Sequence, residues 1–69
     1  MVEVFVTDIH TVALANQVYE QLQSLFPDAR ITFDLEDCDK ILKIEGNHID
    51  AERVIHLAVS LGIKCRMLV

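Results

Sequence analysis

Sixty-nine residues, 52% of them hydrophobic, can build one core between two layers but not a large cleft with separate walls. Eleven acids against six bases leave a net charge of −5, and Arg30, Lys40, Lys43, Arg53, Lys64 and Arg66 are dispersed. That balance argues against nucleic acid and anionic membranes, whose phosphates must be met by clustered cations.

Val2 to Thr7 opens the chain with strict alternation. Val2, Val4 and Val6 fall on one face and Glu3, Phe5 and Thr7 on the other, which predicts a β-strand. Thr11 is placed to cap a first helix, in which Leu14, Ala15, Val18, Leu22, Leu25 and Phe26 recur at three- and four-residue steps. Pro27-Asp28 turns the chain out of that helix. Ile31, Phe33 and Leu35 then alternate with Thr32, Asp34 and Glu36 in a second strand. Lys40 to Glu45 reads as a third, with Leu42 and Ile44 on one face and Ile41, Lys43 and Glu45 on the other. Only Asp37, Cys38 and Asp39 separate the two strands, so a tight hairpin is expected. Asn47 or Asp50 caps a second helix with the stripe Ala51, Val54, Ile55, Ala58 and Leu61, and Gly62 suits the left-handed position after it. Ile63 to Val69 forms the last strand.

The order β-α-β-β-α-β with right-handed crossovers predicts a ferredoxin-like α+β sandwich. A four-stranded antiparallel sheet of order 4-1-3-2 should carry both helices on one face, and residues 1–69 should form a single domain. That topology gathers the Thr7–Thr11 loop, the Asp37–Asp39 hairpin and the Gly62 turn at one end. Pro27-Asp28 and the segment from Gly46 to Ile49 fall at the other. His10 and Cys38 therefore share an end, and His48 does not.

No apolar run reaches the ~18–20 residues of a membrane span, and Met1-Val2-Glu3 lacks the basic start of a secretory leader. A cytoplasmic protein is expected. Cys38 and Cys65 are too few for a disulfide scaffold, and no CxxC occurs.

The run Val6-Thr7-Asp8-Ile9-His10-Thr11-Val12-Ala13-Leu14, with Val18 and Leu22 beyond it and Leu61-Gly62-Ile63 near the end, resembles the heavy-metal-associated family. That family comprises small copper chaperones and the N-terminal modules of metal-pumping ATPases. Along the family pattern Ile9 stands at the buried methionine, while Thr11 and Leu14 stand where the two metal-binding cysteines belong. The chain is most similar to short bacterial members that lack CxxC and carry a similar L-E-D-C-D hairpin. The resemblance implies the same fold, but threonine and leucine cannot close on Cu(I) or Zn(II) as two thiolates do. The family's metal transfer does not extend to those positions.

Candidate chemistry centres on Cys38. Reactive thiols need a cation or a helix N-terminus beside them, whereas Glu36, Asp37 and Asp39 oppose a thiolate here. A nucleophile is the weaker reading. Metal ligation is the stronger one, with His10, Cys38 and Asp37 or Asp39 offering an N/S/O set for zinc or copper. Against it, the plainer reading makes His10 a solvent-exposed loop residue and Asp37 and Asp39 turn formers. Cys65 alternates with Ile63 and Met67 and reads as a core residue. His56 falls on the polar side of the second helix, and His48 reads as a cap or packing residue.

The outer sheet face is expected to hold Phe5, Ile41 and Leu68 among polar residues. One aromatic is a poor platform for stacking RNA bases, so a protein contact or dimer face is the better expectation. No Ser/His/Asp set, paired carboxylates over a cleft or glycine-rich phosphate loop can be assembled. The chain therefore reads as a non-enzymatic interaction or regulatory module without a cofactor, contacting a protein partner or a second copy through Asp37, Asp39, Phe5 and Ile41. The rivals are a divergent metal binder using His10 and Cys38, and a small-ligand-sensing regulatory domain.

Overall fold

A computed structural model of the chain describes residues 1–68. In it the alternating and helical periodicities become β1 (Val2–Thr7), α1 (Val12–Leu25), β2 (Arg30–Asp34), β3 (Ile41–Glu45), α2 (Ala51–Ser60) and β4 (Cys65–Met67). The four strands form one antiparallel sheet of order β2-β3-β1-β4, which is 4-1-3-2 read from the opposite edge. The architecture is the small ferredoxin-like α+β fold.

Both helices start where a side chain can satisfy free backbone amides. Thr11 Oγ1 accepts from Leu14 N at 3.1 Å, and Asp50 Oδ1 accepts from Glu52 N at 3.1 Å and Arg53 N at 3.4 Å. Ile49 just before the second cap and Val54 inside the helix are both buried in the core, the hydrophobic pairing that sets a helix's entry angle. Gly62 takes φ +78 after α2, a left-handed conformation that costs glycine nothing and lets Ile63 N donate back to Ala58 O at 2.9 Å.

The core lies between the helices and one face of the sheet, with Phe5, Ile9, Val18, Leu22, Leu42, Ile44 and Val54 the largest fully buried side chains. Cross-strand partners share a face, so the pairings Phe33↔Leu42↔Phe5 and Ile31↔Ile44↔Glu3 define the helix-facing side. The open side carries Thr32↔Lys43↔Val4 and Asp34↔Ile41↔Val6.

This register corrects the expectation for β1. Phe5, assigned to the outer face and to an interaction surface, is 0% exposed and faces the helices, as does Thr7, while Val4 and Val6 are half-buried on the open side. The local pattern is ambiguous because both faces of the strand carry apolar residues. Pairing with β3 resolves it: Phe5 is opposite Leu42, so the face that buries Leu42 and Ile44 must also take the aromatic ring, the largest apolar area on the strand. Ile41 keeps its expected place on the outer face, half-buried.

Two boundaries also shift. The hairpin connection runs over residues 35–40 rather than three residues, because β2 ends at Asp34 and Lys40 adopts φ 46 outside the ladder. The last strand covers Cys65–Met67 only, and Val69 lies outside the described residues.

Candidate functional site

The end of the molecule that bears His10 and Cys38 is stitched together by Thr7. Its Oγ1 donates to Lys40 O at 2.6 Å and accepts from Ile9 N at 3.2 Å, and its backbone N donates to Asp39 O at 3.0 Å. One buried hydroxyl thus joins the first loop to the hairpin. Asp8 adds a third segment, since its Oδ1 accepts from Lys64 N at 2.9 Å ahead of β4. Alternation alone put Thr7 on the open face. Its hydroxyl at a strand's end, next to a polar loop, was the available signal for this role.

Within the hairpin the acidic residues work on the backbone. Asp34 Oδ1 accepts from Asp37 N at 3.3 Å, and Asp37 Oδ1 accepts from Asp39 N at 2.8 Å, an Asx-type turn. Lys40 N then donates to Asp37 O at 3.0 Å, and Lys40 Nζ donates to Leu35 O at 2.8 Å, closing the loop on itself. Cys38 is exposed at the tip as a free thiol. Asp37, Cys38 and Asp39 bring one ligand-type atom each within 4.8 Å of one another. His10 is not part of that group: it is exposed, and its Nδ1 lies 3.0 Å from the Asp8 carbonyl oxygen, to which only a protonated Nδ1 can donate. The hairpin therefore collects two carboxylates and a thiol without the imidazole expected to join them.

Thr11 and Leu14 have structural work. Thr11 caps α1, and Leu14 packs half-buried against the core. Ile9 is buried. Cys65 is half-buried beside the core, where burial pushes its thiol up from 9.0 to about 11. It stays protonated near neutrality and is a poor nucleophile. His56 is exposed on α2.

At the opposite end a shallow depression of about 260 Å³ is lined by Phe26, Pro27, Asp28, Asn47, His48 and Ile49 among others. It contains an imidazole and a carboxylate but no serine, cysteine or lysine to act as nucleophile. No buried side-chain polar atom among the described residues lacks a partner, so the interior holds no polar group waiting for a substrate.

Both helices pack on the other side of the sheet, so among the described residues no helix covers the open face. Val4, Val6 and Ile41 run along its two central strands half-buried. Val2 and Leu68, 50% and 49% exposed, extend the stripe. Thr32, Asp34, Lys43 and Arg66 surround it, and Lys43 Nζ lies 3.5 Å from Glu45 Oε1. With Phe5 and Phe33 both turned towards the helices, the strand positions of this face present no aromatic ring on which a nucleic-acid base could stack. Among the described residues no helix is long and apolar enough to cross a membrane. Comparison of the chain with models of known families, with curated proteins and with solved structures finds no match.

Proposed function

We propose that the protein is a small non-enzymatic interaction or regulatory module whose contact surface is the open face of the sheet. The observation that carries this reading is the uncovered valine stripe of Val4 and Val6 beside Ile41 on the two central strands, rimmed by charged and polar side chains. Uncovered apolar surface with a polar rim is the usual anatomy of a protein contact. The well-satisfied interior supports a binding role over catalysis. The resemblance to heavy-metal-associated modules without CxxC fits the same role.

The test places a photo-crosslinking residue at Thr32 on the open face and, separately, at Gln21 on the exposed side of α1. Cells expressing each form are then irradiated. Discrete adducts from position 32, lost in Val4→Lys, are expected, with none from position 21. Equal adducts from both positions, or none from position 32, would refute the reading.

A rival cation-binding reading has the Asp37, Cys38 and Asp39 donors in its favour. Zinc and copper(I) titration of the reduced protein tests it. Saturable shifts at Cys38 that vanish in Cys38→Ser support a site, and an unmoved Cys38 ends it.

A further inference from the structure

We infer that the partner of the open face is a second copy of this chain, packed face to face about a twofold axis parallel to β1. This rests on the interaction reading above and names its occupant.

One row of residues across the sheet carries the inference. Asp34, Ile41, Val6 and Arg66 are neighbours in register on β2, β3, β1 and β4, all on the open side. The row reads acid, apolar, apolar, base. A twofold axis along the strands, passing between β3 and β1, exchanges the edges of the sheet. It sets Asp34 against Arg66 of the second copy, Arg66 against its Asp34, and Val6 against its Ile41. Both charge contacts are then attractive and both apolar contacts matched, as an isologous interface requires. In the next row the same operation lays the aliphatic stem of Lys43 over the second copy's Val4. Within one chain Asp34 and Arg66 are three strand spacings apart, about 14 Å, too far to pair. Both are exposed, and neither forms an ion pair among the described residues.

The distribution of charge points the same way. The strand positions of the open face hold Arg30, Lys43 and Arg66 against Asp34 and Glu45. The remainder of the chain holds three bases against nine acids. The strand positions of this face thus carry none of the molecule's net negative charge. Six of those nine acids, Asp8, Asp28, Glu36, Asp37, Asp39 and Asp50, lie in connecting segments, so two copies can meet through the strand positions of this face without opposing two strongly like-charged surfaces.

Area sets the strength. Four strands about 4.8 Å apart and about five residues long give a flat footprint of about 300 Å², or about 500 Å² of accessible surface per copy once side-chain relief is included. Two copies bury about 1,000 Å², at the lower limit for a specific interface, so a dissociable dimer is expected.

Sedimentation equilibrium of the purified chain, from micromolar to millimolar, tests this. The wild type is expected to pass from a species of 7.8 kDa to one of twice that mass. Arg66→Asp sets Asp34 against a like charge at both symmetric contacts and should weaken association about tenfold or more. Asp34→Arg should do the same. Asp34→Arg combined with Arg66→Asp should restore it, which a change confined to folding would not do. Val4→Lys should abolish association while circular dichroism stays native. A chain monomeric at millimolar concentration overturns the inference, as does a dimer indifferent to Arg66→Asp and Val4→Lys. The first outcome combined with heavier adducts from position 32 in cells leaves the interaction reading standing with a different partner. Loss of both the dimer and those adducts removes the reading as well.

Discussion

Thr7→Val tests whether one buried hydroxyl holds the loop end together. Valine keeps the volume and β-branching of threonine, so the 8% exposed site is neither emptied nor overfilled. The change removes the 2.6 Å bond donated to Lys40 O and the 3.2 Å bond accepted from Ile9 N. Each partner left without a bond costs about 1–3 kcal/mol where water cannot reach it. Ile9 is 1% exposed and its amide has little access to solvent, whereas Lys40 is only half-buried and its carbonyl recovers part of the loss from water. A destabilisation of about 2–3 kcal/mol follows, a large share of the ~3–10 kcal/mol expected for a chain of this length. Thr7→Ser keeps the hydroxyl and loses one methyl, so it should cost about 1 kcal/mol. Urea unfolding followed by circular dichroism measures both, and native-state hydrogen exchange at Ile9 localises the effect. The proposed role is refuted if Thr7→Val lies within about 0.5 kcal/mol of wild type, the range of an ordinary surface change. It also fails if the serine variant is as unstable as the valine one.

Other positions yield sharper yes-or-no outcomes. Phe5→Ala should cost about 3–5 kcal/mol because it empties a fully buried aromatic site, and chemical denaturation will show it. A loss below about 1 kcal/mol would put the ring back on the outer face. Gly62→Ala forces a Cβ into φ +78 and should destabilise by about 1–2 kcal/mol, although nothing lies within 4 Å to clash with it. Cys65 couples stability to alkaline pH. The unfolded thiol ionises at 9.0 and the folded one at about 11, so between these values the unfolded chain holds fewer protons and stability falls as pH rises. The contribution is complete below pH 9. Two pH units at about 1.4 kcal/mol each set the ceiling, and the partial exposure of the thiol screens this to about 1 kcal/mol. Cys65→Ser should lack that component in urea titrations across the window. In native protein a maleimide should modify exposed Cys38 first and half-buried Cys65 more slowly, which mass spectrometry reads directly.

Most of the architecture was legible in the chain. Helix periodicity from Leu14 to Phe26 and from Ala51 to Leu61, the cap Thr11, the breaker Pro27 and the left-handed Gly62 are local signals with local causes, and each stands where expected, while of the two candidate caps for the second helix the structure uses Asp50. The alternation of β3 was equally clear, since Leu42 and Ile44 have no apolar rival beyond Ile41. At the candidate site, Cys38 at the hairpin tip and its acidic turn formers were readable from composition and spacing alone. Whether His10 joins them was not, because that depends on the path of a loop from another strand.

Sequence by itself determined the order of elements, the end of the molecule that holds Cys38, and the negative charge carried mainly outside the sheet. These follow from spacing and side-chain chemistry within a few residues. Only the tertiary structure decided which face of β1 is buried. In the segment Val2 to Thr7 a valine face opposes a face containing Phe5 and Thr7, and no local rule chooses between them. Register with Leu42 chooses, burying Phe5 and Thr7 and leaving Val4 and Val6 uncovered beside Ile41. A one-residue offset reverses every side chain of a strand, so the contact surface is a property of the assembled sheet rather than of the strand.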